Sequence, residues 1–267
     1  MICDRSSTVT PSNGRGRDMW SYGTAIDATL LADLADEYGA LDAPLARLDA
    51  AGWERPTPAP GWAVADQVRH LVASERAAAV ALAGRGGELF DGTLTAEPVR
   101  ATADADLLDE WREARAITLA SFAALDDRAK VVWGAGPMSV RSFAESRLME
   151  TWAHALDCFA AAGEEPVDTA RLRHVAGLGL RALPYAFAVA GTEPPGDVRR
   201  LALELTGPTG ECWWFGPQTA DARITGLAGE WCRVAVRRLP PTAATSLVAT
   251  DPLARAALLV ARAYLAD

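Results

Sequence analysis

The chain has 267 residues, half of them hydrophobic, with a formal net charge of -9 and a sequence pI near 4.9. That much apolar material supports a packed core and excludes a disordered protein, while the length allows one large domain or two modest ones. The acidic balance and the lack of a Lys/Arg block argue against nucleic acid or an anionic membrane as partner.

The first 18 residues, MICDRSSTVTPSNGRGRD, are polar and lack the apolar middle of a signal peptide. They read as a flexible tail (1–18), with Met19 an alternative start. From Ile26 to about Asp49, Leu30, Leu31, Leu34, Leu41, Leu45 and Leu48 recur at helical spacing and predict a first helix. ERPTPAPG (54–61) is a stiff connector, because its three prolines oppose both helix and ladder.

A second helix is expected from about Val64 to Ala83, ended by GRGG (84–87), with a polar loop over 88–101. A third runs from about Asp104 to Leu125. A fourth spans about Val140 to Ala162, with Ser139 as N-cap and Gly163 at the C-terminal glycine position. Four helices with longer crossovers predict a four-helix bundle over 19–165.

After residue 165 the texture changes. A helix carrying Leu172, Val175, Leu178 and Leu180 meets Pro184, which should kink or end it. Leu201, Leu203 and Leu205 alternate with Ala202 and Glu204, the period of a half-buried strand, and a second strand follows the turn at 207–210. A helix at about 225–237, a strand at 246–250 and a last helix at 252–265 complete a small α+β C-terminal domain (166–267).

Composition adds two points. One Lys (Lys130) stands against 25 Arg, which reads as a GC-rich genome. The four cysteines (Cys3, Cys158, Cys212 and Cys232) are scattered without a CxxC pair, so neither a disulfide framework nor a thiolate metal site is expected. A reducing cytoplasm is the expected location, and no apolar run is long enough to span a membrane.

The candidate chemistry lies on the fourth helix. Glu150 and His154, four residues apart, share one face, and Arg147 and Asp157 fall on the same narrow stripe. The opposite side holds Leu148, Met149, Trp152, Leu156 and Phe159. Polar groups buried in a bundle must find partners. Two solutions fit: an internal salt bridge of Arg147 with Glu150 or Asp157, or a metal held by the carboxylate and imidazole one turn apart.

His70, mid-helix with Asp66, Gln67 and Ser74 one turn to either side, could complete a two-His, one-carboxylate set. Three protein ligands with open positions is the pattern of a catalytic metal. His174 reads as structural or surface, and Cys158 as a buried, inert thiol. The tryptophans read as core or pocket wall.

Two stretches carry a resemblance: PAPGWAVADQVRHLVASE (58–75) and MSVRSFAESRLMETWAHALDCFAAAG (138–163). They resemble the "Gly-Trp-x-Val-x-Asp…His-Leu" and "Arg-x-x-Glu…Trp-x-His-x-x-Asp" segments of the mycothiol-dependent maleylpyruvate isomerase N-terminal domain, within the broad DinB-like metal-binding bundles. The likeness runs over roughly residues 20–267, most closely to an actinobacterial metal-binding subfamily. It implies a DinB-like four-helix bundle followed by a small α+β domain, with a pocket between them.

The resemblance places the family's metal triad on His70, Glu150 and His154 and implies a divalent ion, most readily Zn²⁺, with mycothiol as co-substrate. By the same likeness Arg238, with Arg237 as rival, matches a substrate-binding arginine. Asp157 is assigned to orienting His154 or positioning substrate. Two departures stand out: Ala63 replaces a capping Thr or Ser, and Gly177 replaces a larger polar residue that could alter the pocket.

Three functions follow. The leading one is a metal-dependent, mycothiol-using S-transferase or isomerase acting on a small electrophile. The second is a pathway-specific tailoring enzyme, in cyclisation or hydrolysis, that uses the metal as Lewis acid without a thiol. The third is a non-catalytic metal-binding stress protein, which would lack a substrate-sized pocket.

Overall fold

The computed structural model describes residues 27–264 apart from 97–98, 100–103, 127–128 and 135; the tail at 1–18 and the alternative start at Met19 lie outside the described residues. Helix α1 (Ala28–Leu45) begins at Asp27, whose carboxylate accepts from the Thr29 N–H (2.9 Å). Its heptad of leucines turns inward: Leu30, Leu34, Leu41 and Leu45 are all buried. A single turn, α2 (Ala50–Trp53), follows. The proline-rich connector is then pinned as a tight turn by the Thr57 N–H on the Trp62 carbonyl (2.8 Å) and a bridge between Pro56 and Ala63.

Helix α3 (Val64–Val80) starts without a side-chain cap on Ala63, but the Asp66 carboxylate accepts from the Ala63 N–H (2.9 Å) and supplies half of a capping box. The glycines after it break the helix as expected, Gly84 taking a non-helical, left-handed conformation. The chain passes through a π-turn (Ala81–Arg85) kinked at Gly84, where φ is 82°, into a short α4 (Gly86–Phe90). Helix α5 (Asp104–Ala123) is followed by an antiparallel hairpin, β1 (Lys130–Trp133) and β2 (Gly136–Ser139), between the expected third and fourth helices. Each strand has only four residues, too short for a period-2 pattern to register.

Helix α6 (Val140–Ala162) matches its expected limits: Ser139 caps it through Ser142 N–H (3.1 Å), and Gly163 closes it in the left-handed region at φ 72°. Helices α1, α3, α5 and α6 form the bundle, α1 against α5 and α6, and α3 against α5 and α6. Leu34, Leu71, Trp111, Phe143 and Leu148 are fully buried between them. Each such side chain contributes about 1.5–3 kcal/mol over its exposed state.

Beyond residue 165, α7 (Leu172–Arg181) and α8 (Leu183–Val189) are separated at Ala182, with Pro184 starting the second helix rather than merely breaking the first. Strands β3 (Leu201–Thr206), β4 (Cys212–Phe215), β5 (Ala222–Leu227) and β6 (Val248–Ala249) make one sheet in the order β4-β3-β5-β6, with β3 and β5 parallel and the other pairs antiparallel. Helices α9 (Ala228–Ala235) and α10 (Pro252–Val260) complete it.

The expected helix at 225–237 is therefore shorter than read. Its first residues belong to β5, where Ile224 sits opposite Leu203 and the β-branched pair Ile224–Thr225 suits a strand. Helix α7 joins the two halves, packing on both α6 and α9, with the Trp231 indole donating to the Ala176 carbonyl (3.2 Å). The whole is a mixed helix-and-sheet fold, mostly helical before residue 165 and carrying its four-stranded sheet after it.

Candidate metal centre and cleft

Helices α3 and α6 lie side by side, and this contact brings His70 to Glu150 and His154. The His70 Nε2 is 2.8 Å from Glu150 Oε1, and the His154 Nε2 is 3.6 Å from the same oxygen. One ligand atom from each of the three lies within 4.8 Å of the others. The imidazole centroids are 4.5 Å apart, and Trp62 covers both, stacked on His154 at 6.0 Å and tilted against His70 at 5.4 Å.

Burial alone would raise the Glu150 carboxyl, but the two imidazoles and the Arg147 guanidinium outweigh it and hold it well below the usual carboxylate range. Burial pushes His154 below its ordinary value despite Glu150, which favours the neutral ring that a metal requires. The donor set suits a divalent ion: two imidazoles and one ionised carboxylate converge on a point that remains open to the cleft.

Around the triad, partners differ from those considered for the stripe. Arg147 donates to Ser74 Oγ and lies 5.0 Å from the Trp133 ring and 5.5 Å from Phe143; it makes no salt bridge with Asp157. Asp157 instead pairs with Arg238: Nε to Oδ1 at 3.0 Å and to Oδ2 at 3.2 Å, and Nη2 to Oδ2 at 2.6 Å. The remaining terminal nitrogen of Arg238 donates to the Val236 carbonyl (3.1 Å). The structure thus brings Asp157 and Arg238 together but directs neither at the imidazoles.

It is Gln67, buried one turn before His70, whose Oε1 meets His154 Nδ1. Gln67 Nε2 in turn donates to Thr57 Oγ1 (2.9 Å), and Thr57 Oγ1 donates to the Trp62 carbonyl (2.9 Å). Gln67 stood on the right helix face in the sequence, but nothing there marked Thr57, which arrives only through the fold of the connector.

These groups line one cleft of about 1410 Å³ between the bundle and the later elements. At one end Phe90, Trp133 and Met138 form an aromatic and apolar wall, the first two rings meeting edge-on at 5.4 Å. At the other end stand Arg237 and Arg238. Arg237 is exposed and holds φ at 58°, a left-handed conformation uncommon for a residue with a side chain.

Gly177 is not among the lining residues. A side chain there would meet Arg181 Nη1 at 3.1 Å and Phe215 at 3.5 Å, so its effect on the cleft is indirect, through Arg181. His174 serves as a tie between helices, bonded to Asp33 of α1 at 2.8 Å and lying 3.8 Å from Glu145 of α6. Cys158 is buried on the far side of α6, where burial, with Asp157 adding to it, pushes its thiol up to about 12.

The fold is a helical bundle joined to a small sheet, with two imidazoles and a carboxylate facing a shared cleft. A profile of the mycothiol maleylpyruvate isomerase N-terminal domain matches residues 34–159, and that stretch belongs to the domain family. Two uncharacterised proteins of Mycobacterium tuberculosis strains are each 39% identical over 219 residues, covering 78% of this chain and 84% of theirs. Crystal structures of the mycothiol-dependent maleylpyruvate isomerase and of a mutant of it share the fold, with a TM-score of 0.52 at 14% identity over 83% of this chain and 92% of theirs.

Proposed function

We propose that the protein is a divalent-metal-dependent enzyme that uses mycothiol to transfer to, or isomerise, a small electrophilic substrate. The observation that carries this reading is the convergence of His70, Glu150 and His154 within 4.8 Å, in a cleft large enough for a thiol and a second reactant. His70, Glu150 and His154 would hold the ion, most readily Zn²⁺. When bound, such an ion supplies a positive charge that keeps an incoming thiol as its thiolate at neutral pH.

The chain's own residues do the rest. Trp62 packs on both imidazoles and buttresses their orientation. Among the described residues no cysteine lines the cleft, and buried Cys158 has its thiol pushed up to about 12, so the thiol of this reading comes from outside. Arg237, exposed in the cleft wall, is placed to receive an anionic group of thiol or substrate, while Arg238 is held by Asp157. Addition of the thiolate to an activated C=C bond forms a C–S bond as the π bond breaks and its electron pair moves onto the activating carbonyl. Protonation of that enolate gives a conjugate, whereas rotation about the new single bond and expulsion of the thiolate re-forms the C=C bond as an isomer.

A second reading, a thiol-independent tailoring enzyme, draws on the Phe90–Trp133–Met138 wall, which suits a substrate with a larger apolar part than a small diacid. A non-catalytic metal-binding protein called for no substrate-sized pocket, and a cleft of about 1410 Å³ speaks against it.

Elemental analysis of the wild type beside the His70→Ala, Glu150→Ala, His154→Ala triple variant tests the metal. One equivalent of a divalent ion, lost in the variant, is expected; none in either would sink the metal reading. Mycothiol should then raise the thermal midpoint of the loaded wild type, and an unmoved midpoint at saturating thiol would favour the second reading.

A further inference from the structure

We infer that Gln67 is a positioning residue that fixes the tautomer of His154, through a one-way hydrogen-bond relay starting at the backbone carbonyl of Trp62. The inference takes His154 as a metal ligand, as in the function proposed above, but its logic rests on donor and acceptor types alone.

The Trp62 carbonyl can only accept. Thr57 has one hydroxyl proton, and it is spent on that carbonyl at 2.9 Å. Toward Gln67, Thr57 Oγ1 can therefore only accept, so the Gln67 atom 2.9 Å from it must be the NH₂ group. This orients the amide independently of any choice made in placing its atoms. Gln67 Oε1 is left facing His154, and a carbonyl oxygen carries no proton, so Nδ1 of His154 must hold one. Gln67 is 0% exposed, and no bulk water competes for either end of its amide.

A neutral imidazole with its proton on Nδ1 presents a bare lone pair at Nε2. That lone pair stands 3.6 Å from Glu150 Oε1, itself an acceptor. Two acceptors turned toward each other repel unless a proton or a metal ion lies between them. While the ring is neutral the relay therefore makes this corner a ligand pair, and only a second proton on His154 would make it a hydrogen bond to Glu150. Partners of this kind, one bond away from the ligand, orient the ring and raise its basicity.

The relay also ties the centre to the cleft wall. Thr57 and Trp62 belong to the pinned connector whose Pro58, Ala59 and Pro60 line the cleft, so displacing that turn withdraws the acceptor that orients Gln67.

The test uses full-length protein with ¹⁵N-labelled histidine. NMR of the metal-free wild type at neutral pH reads which nitrogen of His154 is protonated, and competition with a chromophoric chelator reads zinc affinity. The wild type should show a protonated Nδ1 and a bare Nε2. Gln67→Leu, close in volume but without an acceptor, should lose that signature and bind zinc about 10–100-fold more weakly. Gln67→Glu keeps an acceptor and should restore the Nδ1–H signature, which a merely space-filling role would not require.

Thr57→Val, in a partly exposed turn, should move tautomer and affinity the same way to a smaller degree, and it carries the test if Gln67→Leu does not fold. A wild-type His154 protonated on Nε2, or a tautomer and affinity unmoved by Gln67→Leu and Thr57→Val, would overturn the inference. If the tautomer behaves as stated but the wild type binds no zinc, the relay stands and the metal-dependent function falls.

Discussion

Removing Arg238 should cost stability before it costs chemistry. Its guanidinium grips Asp157 through three contacts of 2.6–3.2 Å, and Asp157 is only 2% exposed. In Arg238→Ala that carboxylate loses its counter-charge and its donors together. Breaking a buried pair from one side costs about 3–5 kcal/mol, because the partner is left charged and dry. Here the lower end applies: the Arg238 side chain is 24% exposed and lines an open cleft, so water enters the vacated space and partly rehydrates Asp157. A loss of about 3 kcal/mol corresponds to roughly 6–12 °C in the thermal midpoint of a protein this size. Urea unfolding followed by far-UV circular dichroism measures it, and Asp157→Asn provides the reverse cut. That change leaves a cation beside the cleft rather than an anion in the core, and should cost about 1–2 kcal/mol. An Arg238→Ala protein within about 1 kcal/mol of wild type would refute the reasoning. It would return Arg238 to the pool of groups available to substrate, the role its family resemblance assigned.

Two further predictions concern titratable groups away from the triad. Burial lowers His174, but Glu145 and Asp33 outweigh it and raise the imidazole above its ordinary value, so His174 favours the folded state while protonated. That contribution is fully present below the ordinary histidine range of about 6.5 and is lost as pH rises through the raised value. Glu145 is itself held below its ordinary value, burial notwithstanding, by His174, Arg181 and Arg141, so it stays ionised on the acid side of this window. The stability gap between wild type and His174→Gln, from urea midpoints, should be larger at pH 6 than at pH 9; a gap that grows with pH would contradict the ion-pair assignment. For Cys158, the thiol pushed up to about 12 should resist an aromatic disulfide reagent at pH 8 until the protein is unfolded. Peptide mapping decides this, and rapid native labelling of Cys158 would mean that the α6 face opens in solution.

How much of this was legible in the sequence depends on the range of each interaction. Helix α6 was readable to the residue at both ends because its signals are local: a serine hydroxyl satisfies a first-turn N–H, and a glycine takes the left-handed closing position. The Glu150–His154 pair was readable for the same reason, since four residues is one turn. The partnerships of the stripe were not. Asp157 had Arg147 as its nearest cation along the helix, yet it pairs with Arg238, 81 residues away, because the turn after α9 delivers that guanidinium to α6. Strand β5 went unread, its last three residues falling in an expected helix, as its stability comes from pairing with β3 rather than from its own six residues.

The match of 58–75 to a known pattern placed His70 near the pair, but only the packing of α3 on α6 sets its Nε2 at 2.8 Å from Glu150. The connector shows the limit most clearly. Three prolines announced its stiffness, yet its chemical use lies in a carbonyl and a hydroxyl, groups too common to stand out in any sequence. A stiff turn is what such a relay needs: each of its three links works only while Thr57 keeps one partner on either side. A flexible loop in the same place would let water replace the Trp62 carbonyl and free the hydroxyl to rotate. The prolines and the metal centre are thus parts of one arrangement, in which backbone rigidity at 54–62 becomes orientation at His154.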